Sequence, residues 1–106
     1  MAVAQVDVVG IGLNATDTVL MVRDFPALGG KERVASMTRQ AGGQVATALV
    51  TCHRLGLRTR YIGKVGDDEP GRFQLASLRR EGMDLRSVRV ARSATTQIIA
   101  TPLAPA

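Results

Sequence analysis

The chain has 106 residues, 45% of them apolar, and 14 Lys and Arg against 9 Asp and Glu give a formal charge of +5. That is enough apolar content for the core of one small domain, and it argues against disorder. The charge does not make a nucleic-acid surface. The arginines are scattered rather than clustered, and three aromatic residues leave almost no platform for base stacking.

Met1 opens without a basic start or an apolar stretch ahead of a cleavage site, and the longest apolar runs fall far short of the ~20 residues of a membrane span. The sequence therefore reads as cytoplasmic, with no membrane partner. Val6 to Gly12 is nearly continuously apolar and β-branched, the pattern of a parallel strand inside a covered sheet. Thr18 to Val22 and a stretch from Glu32 to Thr38, separated by Phe25-Pro26 and Gly29-Gly30, read as exposed antiparallel strands.

Gly42-Gly43 opens a helix from Gln44, in which Val45, Ala48, Leu49, Cys52 and Leu55 recur at helical spacing until Gly56 ends it. Paired glycines at a helix N-terminus let backbone approach a polar ligand and aim free N–H groups at it; helix-start geometry alone is the plainer explanation. Cys52 and His53, the single cysteine and single histidine, supply neither an internal disulfide nor a zinc site of ordinary composition.

Arg58 to Val65 forms the next core strand. Asp67 or Asp68 then caps a helix with Glu69 and Pro70 in its first turn and Phe73, Leu75, Ala76 and Leu78 on its buried side. Capping is preferred for this aspartate pair over magnesium binding. Gly82 closes the helix. Leu85 to Arg92 and Thr95 to Thr101 are expected to form a hairpin around Ser93-Ala94, and Pro102 to break off the last strand. Two or three core strands are too few for a doubly covered sheet, so the chain reads as part of a larger α/β domain.

The run from Asp17 through Gly42-Gly43-Gln44-Val45-Ala46-Thr47-Ala48 and Leu55-Gly56 to Gly63-Lys64-Val65-Gly66-Asp67-Asp68, with Arg80-Glu81-Gly82-Met83-Asp84 beyond, resembles the PfkB family of carbohydrate kinases. The resemblance covers residues 6 to about 100. It implies the N-terminal portion of a ribokinase-like, Rossmann-like three-layer fold, incomplete as a domain. Residues 1–106 would be part of one kinase domain, with a core at about 6–13 and 42–82 and a small β-lid at about 16–38 and 85–101.

The implied activity is phosphorylation of a sugar hydroxyl by ATP with magnesium, under a lid that in many members also forms a homodimer contact. Asp17 stands where the family has an acidic acceptor of sugar hydroxyls. A carboxylate suits that task because its two oxygens can take both protons of a vicinal diol; a turn or strand-end aspartate is the plainer alternative.

Gly42 and Gly43 match the substrate-side glycines. Gln44 and Thr47 stand where asparagine or lysine and a second asparagine are frequent, which leaves the sugar unnamed. Asn14 is either a ligand contact or a loop hydrogen-bonding residue. Gln97 resembles a lid position facing the sugar, or is an exposed strand residue. The family's Gly-Ala-Gly-Asp turn, with its phosphate-binding amides and catalytic base, does not occur in these residues. The chain alone is expected to be inactive, with no catalytic residue and no ATP-binding residue of its own. A non-catalytic sugar-binding or dimerisation module is the alternative.

Overall fold

The computed structural model describes residues 5–106. In chain order the elements are β1 (Val8–Ile11), β2 (Ala15–Val22), β3 (Val34–Gly42), α1 (Gln44–Arg54), β4 (Thr59–Gly66), α2 (Glu69–Arg80), β5 (Asp84–Ala91) and β6 (Ile98–Leu103). They form two three-stranded sheets. The first runs β1-β4-β5, all parallel. The second runs β3-β2-β6, with β3 antiparallel and β6 parallel to β2.

Both helices cover one face of the first sheet. Ala46 and Leu49 of α1, Leu78 of α2, Tyr61 of β4 and Met83 form the buried cluster, with Val8, Val45, Val50, Leu85 and Val88 packed around it. Fully burying each large apolar side chain contributes about 1.5–3 kcal/mol. Gly10 keeps α1 close to β1, since a Cβ there would lie 2.6 Å from Leu49 Cδ1.

Each helix ends in the same way, and the sequence shows why. Gly56, at φ +95°, donates to the His53 carbonyl at 3.0 Å while Leu57 N–H reaches Cys52 at 3.1 Å. Gly82, at φ +85°, donates to Arg79 at 3.0 Å while Met83 N–H reaches Leu78 at 3.3 Å. These are two Schellman caps, each using a glycine for the left-handed residue. In the second, Met83 packs beside Leu78 in the core, the apolar contact that commonly accompanies this cap.

Several expectations from the sequence change. The hairpin after Gly82 does not form: residues 85–91 belong to the core sheet rather than the lid, because β5 pairs in parallel with β4 while β6 leaves for the second sheet. Neither Ser93 nor Ala94 adopts the positive φ that a tight two-residue hairpin turn uses. A register irregularity between Arg60 and Ile62 sets Leu85 and Arg86 of β5 against Tyr61 of β4, so that Leu85 and Val88 both reach the core.

Pro102 does not end the last strand. It lies within β6, at the sheet edge opposite Leu20, where proline's missing N–H removes no ladder bond on the solvent side. On α2, Ala76 is exposed and Gln74 takes the buried place. The covered sheet expected around β1 is covered on one face only, with Val9 at 49% and Ile11 at 72% exposure on the other.

Candidate sugar-binding site

β2 brings Asp17 beside the end of β3. Ala15 is directly opposite Gly42, and the Asp17 side chain, two residues on and on the same face, leans back over that glycine. A Cβ on Gly42 would lie 2.3 Å from Asp17 Oδ2 and 2.9 Å from Oδ1. The first glycine therefore leaves room for the carboxylate in the position it takes. Asp17 Oδ1 is buried and has no hydrogen-bond partner, an acceptor desolvated without compensation.

The second glycine answers to a different neighbour. Gly43 sits at φ +97° as the N-cap of α1, and a Cβ on it would lie 2.4 Å from Asn14 Cα. It offers no capping side chain. The Leu13 carbonyl takes the Ala46 N–H at 3.3 Å, so the loop after β1 is tied to the first turn of α1.

Asn14 is 7% exposed, and its amide nitrogen is fully committed, donating to Tyr61 Oη at 2.8 Å and to the Lys64 carbonyl at 3.1 Å. Tyr61, fully buried, donates in turn to the Gly12 carbonyl. Burial raises the Tyr61 hydroxyl pKa above the ordinary tyrosine value, and the Asn14 hydrogen bond pulls the other way. The β1 loop is thus fastened to β4 by a chain of hydrogen bonds.

A cleft of about 270 Å³ opens where β1 and β4 end, lined by Asn14, Lys64, Gly66, Thr96 and Gln97 among others. Gln97 is exposed and lies on the segment leading into β6, not on a hairpin strand. Its carbonyl accepts the Thr16 N–H at 2.9 Å. Thr47 is placed elsewhere. It is exposed and, with Gly42, lines a separate groove of about 330 Å³ between α1 and α2. Gln44 is exposed at the start of α1. The residues brought together are Asp17, Gly42, Gly43 and Asn14; Gln97 faces the cleft that Asn14 lines, and Thr47 does not.

Three supporting residues were not singled out from the sequence. Thr96, 4% exposed, accepts the Gly66 N–H at 2.8 Å and joins the cleft's loop to α2 through Asp68. Tyr61 and Gln74 are the other two. Their partners lie 28 or more residues away, beyond the reach of local patterns. Asp68 caps α2 by accepting the Gly71 N–H at 2.9 Å, and Asp67 pairs with Arg72 at 3.5 Å, so both aspartates are engaged. Among the described residues no three of His, Cys, Asp and Glu converge as a metal site would require.

The profile of the pfkB family carbohydrate kinases matches residues 4–103. The 5-dehydro-2-deoxygluconokinase of Bacillus licheniformis is 30% identical over 86 residues, 81% of this chain and 25% of that protein. The enzyme of the same name from Geobacillus thermodenitrificans is 37% identical over 57 residues, 54% of this chain and 17% of its own length. Among solved structures, a putative ribokinase from Agrobacterium tumefaciens superposes with a TM-score of 0.82 at 30% identity, covering 91% of this chain and 31% of the other. Arabidopsis thaliana ribokinase complexed with ribose and ATP gives 0.77 at 22% identity, again over 91% and 31%, a likeness of fold. The chain thus spans about a quarter or less of these curated relatives and about a third of these solved structures. It belongs to the pfkB family of carbohydrate kinases and has part of the ribokinase-like α/β fold.

Proposed function

We propose that this chain is the substrate-binding and lid portion of an ATP-dependent sugar kinase, with Asp17 accepting hydrogen bonds from the sugar's hydroxyls. The observation that carries this reading is the buried, unpartnered Oδ1 of Asp17 set over Gly42. A carboxylate is costly to leave in that state unless a donor arrives, and a diol brings two. Gly42 and Gly43 keep the floor of the subsite free of side chains. Asn14 and Gln97 flank the neighbouring cleft, where Lys64 is the one charged residue on the lining among the described residues. A cation there suits a sugar acid, and the names of the curated relatives make 5-dehydro-2-deoxygluconate the first compound to try.

ATP would supply the phosphoryl group, as the nucleotides bound in solved relatives suggest. This chain's residues hold the acceptor sugar and exclude water from it; they provide no base and no phosphate cradle. The proposal therefore includes inactivity of residues 1–106 alone, because phosphoryl transfer rests on positioning and charge stabilisation that these residues do not supply. Cytoplasmic location fits a family acting on sugars with ATP, and no helix among the described residues is long and apolar enough to cross a membrane.

A second reading is a sugar-binding or dimerisation module without transfer chemistry. It draws on the second sheet, where Val34, Met37, Ile98 and Leu103 are exposed at 42% to 68%. Such apolar surface is what pairing of two lids would cover.

Calorimetric titration with 5-dehydro-2-deoxygluconate, fructose and ribose tests the primary reading. Saturable binding of one of them, reduced at least tenfold in Asp17→Ala, is the expected result. Absence of binding by all three, or equal binding by the variant, would overturn it.

A further inference from the structure

Helix α2 and its N-cap residue carry polar ties to two strands of the second sheet and to the segment that leads into the third. Asp68 holds Thr96 just ahead of β6. The Pro70 carbonyl accepts the Thr16 hydroxyl of β2 at 3.0 Å. Gln74 Nε2 donates to the Gly42 carbonyl, at the end of β3, at 3.1 Å. The first two lie at the start of the helix, where capping and a turn explain them. Gln74 lies in its middle and has no such explanation.

Gln74 is completely buried, and its Oε1 has no hydrogen-bond partner. Methionine or leucine would fill the same place on the face shared with Leu78 without burying a bare carbonyl. The orientation of the amide is fixed by chemistry, since a backbone carbonyl accepts and only Nε2 donates. What the side chain holds is the residue whose missing Cβ makes room for the Asp17 carboxylate, and the next residue, Gly43, starts α1.

We propose that Gln74 is a positioning residue for the Asp17–Gly42 subsite, holding the Gly42 carbonyl so that the floor beneath the carboxylate keeps its shape. The proposal rests on the reading of Asp17 as the acceptor of sugar hydroxyls. Gln74 touches no substrate in this role and acts only through Gly42. The relation runs from a core helix to the sugar side of the fold, across 32 residues of sequence.

The test compares the full chain with Gln74→Met, which removes the donor and keeps an apolar filling, and Gln74→Glu, which keeps the shape and loses the donor when ionised. Sugar affinity is measured with whichever of ribose, fructose and 5-dehydro-2-deoxygluconate binds the wild type most tightly. The carboxyl ¹³C signal of Asp17 and the amide signals of Gly42 and Gly43 are followed by NMR. Gln74→Met is expected to fold, to bind sugar about tenfold more weakly, and to shift those three signals. Unchanged affinity in a folded Gln74→Met overturns the proposal whatever the signals do. Should the wild type bind none of the sugars, the proposed function fails, and the signals decide this inference alone: a shift at Asp17 supports it, and unmoved signals overturn it. If Gln74→Glu does not fold, Gln74→Met carries the comparison.

Discussion

The Asp68 carboxylate grips Thr96 twice: Oδ2 accepts its backbone N–H at 2.8 Å and Oδ1 accepts its hydroxyl at 2.6 Å. The same Oδ1 caps α2 through Gly71 N–H, and the Thr96 oxygen also accepts Gly66 N–H. One carboxylate and one hydroxyl thus fasten the end of β4, the start of α2 and the approach to β6. This is where the chain passes from the core sheet to the second sheet. Gly66 and Gly71 are glycines for the same reason, since a Cβ on either would meet backbone oxygen at 2.4 Å.

Thr96→Val should expose the value of this latch. The substitution keeps the volume and leaves a buried Gly66 N–H without an acceptor, at a cost of about 1–3 kcal/mol. Denaturant unfolding should show a lower midpoint with an unchanged slope. An unchanged midpoint would mean that the latch adds nothing to the folded state.

Gly42→Ala separates binding from folding. Its Cβ would lie 2.3 Å from Asp17 Oδ2, so the carboxylate must swing away. Sugar binding should fall by at least tenfold while the circular dichroism spectrum is kept. Gly43→Ala should be the more destabilising of the two, since it adds strain at φ +97° to a 2.4 Å clash with Asn14 backbone, which cannot give as a side chain can. Equal melting temperatures for the two variants would contradict this account.

Acid should loosen the chain through its carboxylates. Hydrogen bonds from the Arg58 side chain and backbone hold Asp7 at about 2, against 3.8 in the unfolded chain. Asp68 is lowered by its bonds from Thr96, Glu69 by Arg39, and Glu81 by Arg54. Groups depressed in the folded state contribute stability above their unfolded values and lose it as pH falls through the folded ones. Stability should therefore be level above about pH 5 and decline towards pH 2. Much of that decline should be screened by salt, because these pairs lie at the surface. A melting temperature that rises between pH 5 and pH 2 would oppose the assignment.

Tyr61 gives the corresponding signal in alkali. It is the chain's single tyrosine, and there is no tryptophan, so absorbance near 295 nm reports it alone. Burial raises its pKa, so the neutral phenol's contribution is complete below pH ~10 and is lost as pH rises through the higher folded value. The absorbance midpoint should lie above that of the urea-unfolded chain. Tyr61→Phe should cost about 1–3 kcal/mol, since Asn14 Nδ2 and the Gly12 carbonyl both lose a partner.

Local physics settled a good part of this protein in its sequence. Gly56 and Gly82 marked both helix ends because a left-handed cap has few other candidates, and Asp-Asp-Glu-Pro marked the start of α2 because capping chemistry is confined to one turn. The glycine pair and Asp17 were also legible, through a motif whose spacing survives in one chain. The destination of β5 and β6 was not, because an apolar strand carries no local mark of which sheet it will join, and neighbours in sequence were taken for neighbours in space. Nor could Thr96, Tyr61 and Gln74 be found, since their work is done on groups 28 to 49 residues away. Sequence determined where the helices begin and end and which family its motifs belong to; only the tertiary structure decided that Gly42 makes room for a carboxylate and that Gln74, from a core helix, bonds its carbonyl.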